Sequence, residues 1–193
     1  MVLTAHARLW ASVVACTAGT LLMAAPQAQA ATPEAPPTTA SAASAASAAV
    51  AVAPDCQGIC VLGVRAATHP DFDRFVIDLG EGTIPEWTTS TQTTPLTCCG
   101  DETNEHVVPI QGNKYLKIYL SPATTFDFNT STVLYTSPMY ATYDFPSLKG
   151  QGRTDIYDPE ARAFHIGLAL DDYSSYKIFK LTAPNRIVVD INH

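Results

Sequence analysis

Few residues in this chain have the types and spacing that chemistry requires. His69, Asp71 and Asp73 fall within five positions and could offer nitrogen and oxygen ligands to a metal ion. They lack the four-ligand pattern of a zinc site, and Pro70 with Asp71 reads first as a turn. Asp171-Asp172 could open a calcium loop, but the acids do not alternate as such loops require. Nucleophilic catalysis has no G-x-S-x-G to carry it. Glu86, Glu102, Glu105 and Glu160 are of the right type for glycoside hydrolysis, which needs two carboxylates across a cleft. Nothing in their spacing pairs them. The sequence therefore predicts no catalytic residue, no metal and no cofactor, and a binding protein rather than an enzyme.

Binding chemistry is better represented. Sugar C–H faces stack on aromatic rings, and Trp87, Tyr140, Tyr143, Tyr157, Tyr173 and Tyr176 lie in or near turn-rich segments. Trp87 and Tyr143 are the first candidates for a ligand surface, the others being core or rim packing. A second pattern is the echo between Arg74-Phe75-Val76-Ile77-Asp78-Leu79 and Arg186-Ile187-Val188-Val189-Asp190-Ile191. Strand alternation puts Arg, Val and Asp on one face of each segment. If the two pair antiparallel, Arg74 faces Asp190 and Arg186 faces Asp78. That arrangement is either a charged ligand-binding face carried by Arg74 and Arg186 or a pair of cross-strand ion pairs.

Four cysteines, Cys56, Cys60, Cys98 and Cys99, follow the leader. An even count in an exported chain implies disulfides. Joining Cys98 to Cys99 closes a strained eight-membered ring, so the expectation is that Cys56 and Cys60 each bond one of the adjacent pair. A four-thiolate zinc site is the alternative, with poor ligand spacing.

The elements that must position these residues read as strands. Segments 63–67, 74–79, 114–120, 163–170, 177–181 and 186–191 carry strand patterns, several with period-two alternation. Gly80-Glu81-Gly82, Gly112-Asn113, Lys149-Gly150-Gln151-Gly152 and Ala183-Pro184-Asn185 read as turns between them. One weak helix is expected within 138–147, limited by Pro146. Many short strands with regular turns imply an all-β sandwich or barrel.

Of the 28 alanines, 20 lie in the first 53 residues, whereas 16 of the 17 aromatics lie after residue 70. The first 30 residues read as a signal peptide: Arg8, an apolar run from Leu9 to Ala25, then Ala28-Gln29-Ala30 as the cleavage site. A lipoprotein box ending at Cys16 is the alternative. Residues 31–54, rich in Ala, Pro, Ser and Thr, read as a disordered linker, and 55–193 as one folded domain. The protein is expected to be secreted or on the cell surface, with no membrane span after cleavage. The formal charge of −7 argues against nucleic acid, since no basic track is evident to neutralise phosphates. Binding to an acidic surface would need a local patch or a bridging cation.

At these residues the chain resembles a known family. Gly63-Val64-Arg65 followed by His69-Pro70-Asp71-Phe72-Asp73-Arg74 and the hydrophobic run to Leu79 resembles the opening of the AMIN-like domain of exported actinobacterial proteins. Tyr115 to Ala123, Phe164 to Leu168, Tyr176 to Leu181 and Pro184 to His193 continue the resemblance in order. Such domains are similar to the AMIN module, a β-sandwich of cell-wall amidases and secretins that targets proteins to the envelope. The resemblance implies a non-catalytic β-sandwich that binds a cell-envelope component, cell-wall glycan first. An envelope-protein interaction module is the alternative, and a small hydrolase the third. The resemblance carries no binding residues to transfer. The cysteine pairs and the insert around 98–106 depart from the family pattern.

Overall fold

The computed structural model describes residues 52–99, 105–155 and 159–193. The expected signal peptide, Cys16, nearly all of the linker, Glu102 and Tyr157 lie outside them. Among the described residues the fold is all-β. One sheet contains β1 (Ile59–Thr68), β2 (Phe72–Leu79), β7 (Ala123–Thr124), β13 (Ser175–Leu181) and β14 (Arg186–Asn192), in the spatial order β13-β14-β2-β1-β7. The other contains β3 (Trp87–Gln92), β6 (Lys114–Leu120), β10 (Tyr140–Thr142), β11 (Leu148–Arg153) and β12 (Phe164–Leu170), in the order β10-β11-β12-β6-β3. Two small ribbons, β4 (Thr97–Cys98) with β5 (His106–Val107) and β8 (Phe126–Asp127) with β9 (Thr132–Val133), complete the set. No helix of the described residues is long and apolar enough to cross a membrane.

Strand alternation makes the core. Phe75 and Ile77 of β2 and Ile187 and Val189 of β14 belong to the same buried cluster as Leu116 and Ile118 of β6 and Phe164, Ile166 and Leu168 of β12. The two sheets therefore pack face to face as a β-sandwich. Burying each of these large side chains stabilises the fold by about 1.5–3 kcal/mol. All six expected strand segments fall in strands, except that Ala163 precedes β12 by one residue. The echoing segments are neighbours, antiparallel, with Arg74 opposite Asp190 and Arg186 opposite Asp78.

The expected helix within 138–147 is absent. Pairing overrides its weak propensity: Thr136 donates its N–H to Leu62 O, the Ser137 hydroxyl bonds Val64 N and O, and β10 pairs with β11. The expected turn at 149–152 is also replaced, by the middle of β11. Its glycines serve proximity rather than reversal. Gly152 stands opposite Gly167, and Gly150 opposite Ala169, on the outer face of the second sheet. Leu96, Val108 and Ile110 lie on this floor and form a second buried cluster with Tyr115 and Ala169. A Cβ on Gly167 would overlap Leu96 Cδ1, and one on Gly152 would overlap Val108 Cγ1. The stretches 93–99 and 105–111 thus form a local third layer.

The cysteines pair locally, contrary to the expected cross-linking. Cys56 bonds Cys60, with Cα atoms 5.2 Å apart, and Cys98 pairs with Cys99. The reason is placement. Cys60 lies on β1 of the first sheet, whereas Cys98 belongs to the layer outside the second. A crossed pair would span the thickness of the sandwich, about 10 Å for the sheets alone, beyond the roughly 7 Å Cα reach of a disulfide. Cys56 and Cys60 are brought together where the chain reverses at Gln57, whose φ is +48°.

One polar group ties the sheets. Asp73, on the central strand of the first sheet, points inward and is fully buried. Its Oδ2 accepts the N–H groups of Ser147 at 2.7 Å and Leu148 at 2.8 Å, at the start of β11. Its Oδ1 faces His193 Nε2 at 3.3 Å. Burial alone would push this carboxyl up. The bonds from Leu148 N–H, the Thr68 hydroxyl, Ser147 N–H and His193 outweigh it and hold the group below the usual carboxylate range.

Two outcomes follow from these contacts. Gly167→Ala is expected to destabilise the protein by about 1–3 kcal/mol in urea unfolding, with the loss smaller when Leu96 is also cut to Ala, because the clash lies between those two groups. Asp73→Asn is expected to cost about 1–3 kcal/mol at neutral pH. A carboxylate lowered in the folded state stabilises above its unfolded value of about 4 and loses that contribution as pH falls through the folded value. Unfolding curves from pH 6 down to pH 2 should show this acid-induced loss in the native protein and a shallower slope in Asp73→Asn.

Candidate functional site

A cleft of about 620 Å³ opens at one end of the second sheet. Thr142 reaches it from the end of β10, Tyr143 from the turn between β10 and β11, Lys149 from β11, Asp171 from just past β12, and Gln111 to Asn113 from the approach to β6. The turn is closed by Tyr143 N–H donating to Lys149 O at 2.8 Å. The Asn113 side-chain amide donates to Asp171 Oδ1, and Asp171 N–H donates to Ser147 O at 2.9 Å. Lys149 Nζ donates to Phe145 O at 2.6 Å, which spends one of its three hydrogens and holds the ammonium at the rim. Pro109 and Gly112 complete the wall.

Tyr143 is half-buried, and its ring stacks on Phe145 at 5.2 Å between centroids and 12° between planes. Burial pushes its phenol up, so it remains a neutral donor and acceptor at physiological pH. A fixed ring edge, a side-chain amide, an ammonium and a carboxylate on one small concave surface match what orients a neutral polar ligand.

The four sequence candidates are not brought together. Tyr143 is in the cleft. Trp87 opens β3, the opposite edge strand of the same sheet, and packs against the main core. Arg74 and Arg186 stand on the outer face of the first sheet. Arg74 is held by Asp190 through two bonds of 2.6 and 2.7 Å. The second anticipated pair is replaced: Asp78 accepts from Arg65 Nε at 2.9 Å, and Arg186 Nε turns instead to Pro184 O at 3.2 Å. Arg65 lies one strand over, diagonal to Asp78, a separation that a long side chain spans.

The residues considered for chemistry are dispersed. His69 stacks on Phe72 at 4.5 Å. Asp71 is exposed, and Asp73 faces the core. Glu86 pairs with Lys180 at 3.1 Å. His165 lies across from Tyr119 on the outer face of the second sheet, edge to face at 4.6 Å, and burial lowers its pKa. Among the described residues no cluster of three or more His, Cys, Asp or Glu is placed to hold a metal.

Sequence reasoning missed Gln111, Asn113, Lys149 and Asp171 as members of one site. Their signal was present as turn clusters, at 112–113, 149–152 and 171–172. Loops at one end of a sandwich converge, and binding residues concentrate there.

Fold and site together define an all-β sandwich with a polar, ligand-sized cleft at the end of one sheet. The AMIN-like domain family matches residues 60–193, more than half of the chain. The chain therefore belongs to the AMIN-like domain family. No curated protein and no solved structure shows significant similarity to it.

Proposed function

We propose that this protein is an exported, non-catalytic module of the cell envelope that binds wall glycan through the cleft around Tyr143. Family membership supports envelope targeting, because AMIN-like domains resemble the AMIN envelope-targeting module. The Cys56–Cys60 disulfide supports an oxidising compartment. The leader and the Ala/Pro-rich linker supply export and a tether. The observation that carries the glycan assignment is the half-buried Tyr143 ring, fixed on Phe145 beside Lys149, Asn113 and Asp171. A ring packs a sugar C–H face, and the polar groups order its hydroxyls.

A second reading has its own observation. β3 is an edge strand whose Thr88 to Thr91 are exposed, and an open edge can accept a strand from an envelope protein. The cleft is favoured because an aromatic ring, an amide, an ammonium and a carboxylate converge there.

Co-sedimentation with isolated peptidoglycan decides between them. Saturable binding that soluble glycan displaces is expected for the native protein. Tyr143→Ala should weaken it about 10-fold, equivalent to about 1.4 kcal/mol. Trp87→Ala, at the far edge, should leave the affinity of the folded protein unchanged. Absence of binding at low salt, or equal binding by Tyr143→Ala, would reject the cleft, and a partner crosslinked to β3 would then take its place.

A further inference from the structure

The outer face of the first sheet carries a charge opposite to that of the whole chain. Arg65, Arg74, Arg186 and Lys177 point outward from four adjacent strands, and only Asp78 and Asp190 stand among them. The face therefore holds an excess of two positive charges on a chain whose formal charge is −7. This is the local patch that the composition alone did not show.

The register orders these charges into two rows. In one, Asp190 lies between Arg74 of β2 and Lys177 of β13. In the other, Asp78 lies opposite Arg186 of β14 and is bonded by Arg65 of β1. Each carboxylate occupies one of its two cations, Arg74 and Arg65 respectively. Among the described residues, Lys177 and Arg186 have no carboxylate within 4 Å. Lys177 Nζ lies 5.4 Å from the Phe179 ring centre, and Arg186 donates only to a backbone carbonyl. The rows are four residues apart along β14, or about 13 Å. Between them lie Val76 and Val188, both buried, and Phe179, whose ring also has the Arg74 guanidinium 5.9 Å from its centre, with Arg65 opposite Val76 at the β1 end of the row.

We propose that this face binds a linear glycan that bears carboxylates at wide intervals, with Lys177 and Arg186 each taking one carboxylate and Phe179 packing the sugar between them. Widely spaced anions fit because the two free cations are separated. A densely charged chain, such as a polyphosphate, would bring further anions onto Asp78 and Asp190, and like-charge contacts are repulsive. The surface lies on the other sheet from the Tyr143 cleft, so it adds a second contact to the same envelope rather than restating the first.

The test is titration of the full folded protein with hyaluronan oligosaccharides, which carry one carboxylate per disaccharide, at 20 and 300 mM salt. Carboxyl-methylated hyaluronan and polyphosphate are the comparison ligands. Expected are binding that weakens with salt, loss on methylation, a roughly 3-fold loss in each of Lys177→Gln and Arg186→Gln, and about 10-fold in the double variant. The Lys177 and Arg186 variants read this face, and Tyr143→Ala in the peptidoglycan co-sedimentation reads the cleft, so failure of the cleft and failure of this face are told apart. Both substitutions are on the surface, and circular dichroism checks that the double variant folds. Equal affinity for the methylated glycan, stronger binding of polyphosphate, or no effect of the double variant would overturn the proposal. So would salt-sensitive self-association that Lys177→Gln and Arg186→Gln abolish, which would assign the face to a second copy of this chain.

Discussion

The buried carboxylate of Asp73 is the constraint on which the rest of the molecule depends. Two apolar sheets can slide over each other at small cost, because hydrophobic burial has no direction. A charged acceptor in the interior does have direction. Asp73 fixes the first residues of β11 against the central strand of the other sheet, and breaking either bond would leave a backbone N–H dry and unpaired. The restraint passes onward. Ser147 accepts from Asp171, whose carboxylate takes the Asn113 amide, and Lys149 two residues on holds the turn that carries Tyr143. The cleft is therefore built outward from a single point in the core.

Much of the fold was legible because strands with one buried face advertise themselves through alternation. The repeated Arg-x-x-x-Asp spacing of β2 and β14 suited an antiparallel register, which the structure has, although only the Arg74–Asp190 pair of the two forms an ion pair. What escaped were elements whose identity comes from their neighbours. β3, with the sequence Trp-Thr-Thr-Ser-Thr-Gln, has no apolar alternation and is a strand because β6 offers it an edge. β11 reads as a turn because two of its residues are glycines, and the reason for those glycines is a loop more than forty residues earlier in the chain.

The site was legible in part for the same reason. An aromatic near a turn marks Tyr143, but nothing local says that Asn113, Lys149 and Asp171 end at the same place. Convergence is a property of topology. The cysteines make the same point in reverse: local ring strain favours crossed pairs, but Cys60 stands on the first sheet and Cys98 outside the second, and distance decides the outcome.

The glycine floor under Leu96 and Val108 has a consequence for solvent. A sheet normally keeps water from its ladder with its own side chains. Over Gly150, Gly152 and Gly167 there are none, and the roof is supplied by a segment that is distant in sequence. Exclusion of water from the β11–β12 ladder is thus borrowed from that segment. Any event that lifts it, whether cleavage, crowding by a ligand or a substitution at Leu96, would wet backbone amides near the middle of the sheet while every strand stayed paired, and the domain would soften from its outer surface inward.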